Sequence, residues 1–120
     1  MTTDRSTFDK TRQERVMMHV KDAACRRFRV SLDDLMSPKR LPPIVWARHS
    51  AVYVIRKICG ASFPDISRAF LKKDHNSAIY SCQVVESRMK HQPDYRNQIE
   101  CLQKEAEALI AADPEKGGRT

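Results

Sequence analysis

Lys72-Lys73-Asp74-His75-Asn76-Ser77-Ala78-Ile79-Tyr80-Ser81-Cys82 is the stretch whose reading decides the fold. Two lysines precede Asp74, a residue type that caps helix N-termini by accepting a backbone N–H bond, and short polar residues follow through the first turn. Behind that turn Ala78, Cys82, Val85 and Met89 recur at helical spacing, so one face anchors the helix and the other meets solvent. By itself this is a capped surface helix beginning at Asp74, and its neighbours decide what more it is.

Immediately upstream, Ser62-Phe63-Pro64-Asp65-Ile66 has the signs of a helix start. A hydroxyl can cap, proline is tolerated in the first turn, and an acid suits the positive end. Ile66, Ala69 and Phe70 form its inward face, and it is expected to stop near Leu71, a few residues before Asp74. Two short helices across a tight turn are helix-turn-helix spacing.

Before them, Ile44 to Cys59 reads as the most hydrophobic and central helix, with Val45, Ala51, Val52, Val54, Ile55 and Ile58 inward and Gly60 as its stop. Trp46, beside this apolar run, reads as a packing anchor rather than a base-stacking platform. Pro38 to Pro43 is a loop stiffened by three prolines that presents Lys39 and Arg40. Ser31 caps a short helix at Leu32–Met36, ended by Ser37-Pro38. A first amphipathic helix runs from Thr11 to about Phe28 on Val16, Val20, Ala23, Ala24 and Phe28. Downstream of Lys90, Pro93 interrupts, and Tyr95, Ile99, Leu102, Ala106 and Leu109 mark a last helix.

No strand-like alternation of useful length occurs, so the expected fold is all-α, a compact helical bundle containing a helix-turn-helix. With 120 residues there is room for one modest core. We divide the chain into a flexible N-terminus (1–10), one domain (11–112) and a flexible tail (113–120).

The formal charge of +7 suits a polyanionic partner, but its distribution says more than its total. Between Leu35 and Pro64 there is no Asp or Glu, while Lys39, Arg40, Arg48, Arg56 and Lys57 are all present; acids collect late, at Glu100, Glu105, Glu107, Asp113 and Glu115. One face should therefore be basic. The absence of a long apolar run argues against a membrane partner and for a soluble, cytoplasmic protein.

Enzyme chemistry finds little support, and no catalytic residue is assigned. The three glycines do not precede a Lys-Ser or Lys-Thr pair as a phosphate loop requires, and no base can be assigned to a cysteine. Cys25, Cys59, Cys82 and Cys101 are widely spaced and read as buried, reduced thiols rather than zinc ligands; no metal, cofactor or small-molecule substrate is expected. Nucleic-acid recognition asks for short side chains at the start of an inserted helix, where Asp74, His75, Asn76 and Ser77 stand, and for cations beside the phosphates, where Lys72 and Lys73 stand.

From about Ala24 to Leu109 the chain resembles the C-terminal, Trp repressor-like DNA-binding domain of the bacterial replication initiator DnaA. The specific match is Lys73-Asp74-His75-Asn76-Ser77-Ala78-Ile79-Tyr80-Ser81-Cys82, against a family pattern Arg-Asp-His-Thr-Thr-Val-(apolar)-x-Ala-Cys. Val30 to Ser37, the basic loop, Arg48 and Ser62 to Ile66 agree in order and spacing. The resemblance implies base contacts in the major groove from Asp74 and His75, with Asn76 and Ser77 in place of two threonines, and an arginine, here Arg40, in the adjacent minor groove. It further implies phosphate or backbone contacts at Arg48, His49, Arg56, Phe63, Pro64 and Lys73, with Lys39 in the same basic loop.

Two departures stand out. Asn76 exchanges a methyl suited to thymine for an amide suited to adenine's N6/N7 edge, so the preferred site should differ from the usual initiator box. The family's small pair in the turn is replaced by Leu71-Lys72. No ATPase domain is legible, so a freestanding binder of double-stranded DNA is expected, associated with the nucleoid. It would regulate transcription or compete with the initiator for its sites, in a bacterium or a phage. The rival reading is a protein-interaction adaptor that keeps the fold and docks through the acidic last helix.

Overall fold

The computed structural model describes residues 2–72 and 74–113, with side chains described from residue 11 onward. Within these residues lie six helices and no strand: α1 (Thr2–Phe28), α2 (Leu32–Met36), α3 (Pro42–Cys59), α4 (Phe63–Ala69), α5 (Asn76–His91) and α6 (Pro93–Ala111).

The central helix is α3, which packs against each of the other five. Pro42 and Pro43, expected in the basic loop ahead of a helix starting at Ile44, instead open it, where a missing N–H costs nothing, and Gly60 closes it at φ 62°, donating its N–H to the Arg56 carbonyl at 2.9 Å. Ala47, Ala51, Val54 and Ile55 on this helix are fully buried. Removing a large side chain such as Ile55 deletes about 1.5–3 kcal/mol of apolar burial, a sizeable share of a small domain's net stability. Ser50 is buried among them and tolerated because its hydroxyl meets the Tyr95 hydroxyl at 2.7 Å, tying α3 to α6.

Around this axis α1 and α6 pair along one side. Val16, Val20, Ala23 and Ala24 are buried as their spacing predicts, and Met17 joins them. The α1 backbone is helical from Thr2, upstream of the Thr11 start read from the apolar pattern, which begins only at Val16. A fork from Arg27 to Glu105 (3.1 and 2.6 Å) links the two helices, and just past the end of α6 Asp113 meets His19 of α1 at 2.8 Å. Asp113, expected at the head of a flexible tail, has a side chain only 7% exposed, because its carboxylate faces His19 and Arg15 on α1. The rest of that tail, 114–120, lies outside the described residues.

The caps follow the sequence. Ser31 Oγ accepts the Asp34 N–H at 3.0 Å, Ser62 Oγ accepts the Asp65 N–H at 3.1 Å, and Pro93 occupies the first turn of α6. The cysteines are free, but only Cys25, Cys59 and Cys82 are half-buried. Cys101 is exposed, on the face of α6 turned from the core, so its reading as a buried thiol is corrected.

Candidate nucleic-acid interface

The turn between α4 and α5 is built by hydrogen bonds that leave no slack. Lys72 N–H reaches back to the Ser67 carbonyl (2.8 Å) and Leu71 N–H to the Arg68 carbonyl (2.9 Å), with Leu71 at φ 61°. That is the Schellman closure of a helix, whose left-handed position usually takes glycine; here a leucine, 74% exposed, holds it under strain. The chain reverses within a few residues and α5 starts against α4.

The start of α5 differs from its sequence reading in one respect. The helix begins at Asn76, not Asp74. The Asp74 carboxylate accepts the Asn76 N–H at 2.9 Å, two residues on, and the Asp74 carbonyl receives the Ser77 N–H (3.3 Å) and hydroxyl (3.1 Å). Asp74 is thus the outer clasp of a turn that leads into the helix. Asp74, His75 and Asn76 are exposed, Ser77 is half-exposed, and Lys73 lies outside the described residues.

On the opposite lip stands the basic loop, and Arg48 shapes it. Its guanidinium, half-buried, donates to the carbonyls of Leu35 (2.9 Å) and Ser37 (2.6 Å), with longer contacts of 3.3 Å to Asp34 and Lys39. One side chain from α3 therefore satisfies the open carbonyl end of α2 and fixes the following loop. Lys39 is turned to Asp34 (2.9 Å), whereas Arg40 is exposed. Arg56 plays a similar part at the α3–α4 corner: it donates to the Ala61 carbonyl at 2.7 Å and lies 4.2 Å above the Phe63 ring. Pro64 is exposed beside it.

His49, on α3, turns its ring toward α5. Its Nδ1 is hydrogen-bonded to Ser81 Oγ at 2.8 Å, and its ring meets Trp46 and Tyr80 edge-on, at 5.4 and 5.8 Å between centroids. Burial, helped by the neighbouring Arg48 charge, lowers its pKa from 6.5 to about 4, so it is neutral at neutral pH. Trp46 is the packing anchor its surroundings suggested, edge-on to Tyr95 and covered by the Arg88 guanidinium at 4.4 Å.

These pieces border one open cleft of about 450 Å³, lined by Arg40 and Arg48 from the loop side, Phe70 and Lys72 from the turn, and Ser77 and Tyr80 from α5. The loop and the start of α5, far apart in sequence, thus present Arg40, Lys72 and Ser77 together, while Arg56, Phe63 and Pro64, at the α3–α4 corner, are not among the residues lining the cleft. Two contributors were not picked out in the sequence. Tyr80 is 57% exposed on the cleft side of α5, and Ser81 is buried as the partner of His49. Tyr80 was discoverable as the residue one helical turn after Asn76; Ser81 offered no comparable signal.

Residues 17–85 match the family model described as the bacterial dnaA protein helix-turn-helix. The chain is 34% identical over 92 residues to the chromosomal replication initiator protein DnaA of Geotalea daltonii, covering 77% of this chain and 20% of that protein. It is also 34% identical over 90 residues to the DnaA of Aquifex aeolicus, covering 75% and 23%. The chain therefore spans about a fifth of the length of these relatives. A solved structure entitled crystal structure of DNA replication initiation factor superposes with a TM-score of 0.76 at 30% identity, covering 84% of this chain and 31% of that one. With an all-helical bundle, a closed α4–α5 turn and this match over more than half its length, the chain belongs to the bacterial DnaA helix-turn-helix family, a family of non-catalytic DNA-binding domains.

Proposed function

We propose that this domain binds double-stranded DNA with sequence preference, offering the start of α5 to the major groove and Arg40 to the adjacent minor groove. The observation that carries the reading is the shared cleft: Arg40, Lys72 and Ser77 line one surface, with Asp74, His75 and Asn76 exposed at the start of the same helix. An α-helix fits the major groove with its N-terminal residues toward base edges, and a short arginine-bearing loop suits the narrower groove. Lys72 on this surface, Lys39 in the basic loop and the Arg56–Phe63–Pro64 corner would meet phosphates; His49 and Arg48 act chiefly by holding α5 and the loop. The biological output is transcription regulation, or modulation of replication initiation by competition with the initiator at DnaA-box-like sites, in the cytoplasm on the nucleoid.

The test is selection of bound duplexes from a random pool, followed by affinity measurements on the selected and a scrambled duplex. Arg40→Ala, His75→Ala and Asp74→Asn, the last retaining a group that accepts the Asn76 N–H, should each lose about 1–3 kcal/mol of preference. Lys72→Ala should weaken all duplexes together and shallow the salt slope by about one unit. No enriched sequence, or equal losses on both duplexes for all three base-contact variants, would overturn the proposal.

A further inference from the structure

We propose that Tyr80 is a further specificity-determining residue, reading a thymine methyl one helical turn deeper along the groove than Asn76; this rests on the major-groove reading above. Tyr80 is the one large aromatic exposed on the described part of α5, and its ring faces the same cleft as Arg40, Lys72 and Ser77. Four residues of helix advance about 6 Å, so a side chain one turn after Asn76 stands about two base steps further on. Asn76 and Tyr80 also lie on one helix face, so both can address the same groove.

The ring is held in place. His49 braces it edge-on from beneath, is fixed in turn by its hydrogen bond to Ser81, and is backed by Trp46. An exposed aromatic costs a soluble surface, and an aromatic packed on a ring that is itself fixed has less rotational freedom to lose on binding. In the major groove the apolar feature is the C5 methyl of thymine, and an aromatic face or edge is a fitting contact for it.

The experiment measures binding of wild type, Tyr80→Phe and Tyr80→Ala to the selected duplex, to single thymine-to-uracil versions of it, and to a scrambled duplex. For wild type and Tyr80→Phe, one uracil substitution should weaken binding about fourfold, the worth of burying one methyl group. In Tyr80→Ala that substitution should cost nothing, and binding to the selected duplex alone should fall by about that factor or more. Equal weakening of selected and scrambled duplexes by Tyr80→Ala, a Tyr80→Phe loss matching that of Tyr80→Ala, or an undiminished uracil penalty in Tyr80→Ala would each overturn the inference. Wild type with no sequence preference would instead overturn the major-groove reading beneath it; preference that survives with Tyr80→Ala unaffected sinks this inference alone.

Discussion

Replacing Arg48 with alanine separates two roles that the same side chain can fill. If Arg48 were chiefly a phosphate contact, its removal would leave the domain intact and weaken DNA binding. In the structure it is instead a strut, since two short bonds, to Leu35 and Ser37, and two longer ones bridge α2 and the basic loop to α3. Hydrogen bonds to a charged donor contribute about 1.5–3 kcal/mol each when buried, but the two 3.3 Å contacts are weak and water can reach the loop carbonyls once the guanidinium is gone. A loss of about 2–3 kcal/mol in unfolding free energy is the resulting expectation. With an unfolding entropy of about 2.1 cal/mol/K per residue, that lowers Tm by about 8–12 °C. Arg48→Lys should recover less than half, since an ammonium cannot span carbonyls on both sides as the planar fork does. Thermal denaturation followed by circular dichroism measures the first effect, and anisotropy titrations across salt measure the second. Because Arg40 sits on the loosened loop, preference for the selected duplex should fall while the salt slope stays nearly constant. A Tm within about 1 °C of wild type together with a slope reduced by one unit would refute the strut and restore the phosphate contact.

The remaining expectations concern the turn, the helix ends and one histidine. Leu71→Gly should stabilise the domain by about 0.5–1 kcal/mol: relief of left-handed strain, about 1–2 kcal/mol, outweighs the added freedom of the unfolded chain, and the exposed leucine buries little. Gly60→Ala should do the opposite, by about 1 kcal/mol, and purely through its φ, since an added Cβ meets nothing within 4 Å; chemical denaturation reads both. Asp113→Asn should cost about 1–3 kcal/mol by weakening the α6-to-α1 link through His19 and Arg15, read as faster amide exchange in the last turn of α6. His49 supplies a pH dependence. Its folded pKa lies below that of the unfolded chain, so its contribution is complete above pH 6.5 and is lost as pH falls through about 4. Allowing for the solvent that still reaches the ring, wild type should lose about 1–2 kcal/mol more than His49→Phe between about pH 7 and pH 4.5; parallel profiles would contradict the buried neutral ring.

Several helix ends were legible because residues with a local reason to be there mark them: Ser31 and Ser62 as caps and Gly60 at a left-handed stop. Pro42 and Pro43 read as loop and Pro93 as an interruption, because proline breaks a helix interior and suits a first turn alike, and only the structure places them in the first turns of α3 and α6. The spacing from Ile66 across Leu71 to Ala78 likewise implies two helices meeting at a turn. What escaped sequence reading depends on where a side chain goes rather than what it is. Arg48 has the same chemistry whether it faces phosphate or carbonyls. His49 has an ordinary titration until Trp46, Tyr80 and Ser81 enclose it, and Leu71 adopts a glycine conformation because the bonds of Leu71 and Lys72 to α4 require it. Asp74 is a capping residue by type, but its bond to the N–H of Asn76 places it outside the helix. Asp113 looks like tail because its partners stand on α1, at the far end of the sequence.

Amide hydrogen exchange of the domain, alone and bound to its selected duplex, tests the central claim most directly. Binding should slow exchange in the basic loop around residues 39–41 and at the start of α5, residues 74–81, in the same complex, with α6 unchanged. Protection confined to α6, with the loop and the start of α5 unaffected, would contradict the account.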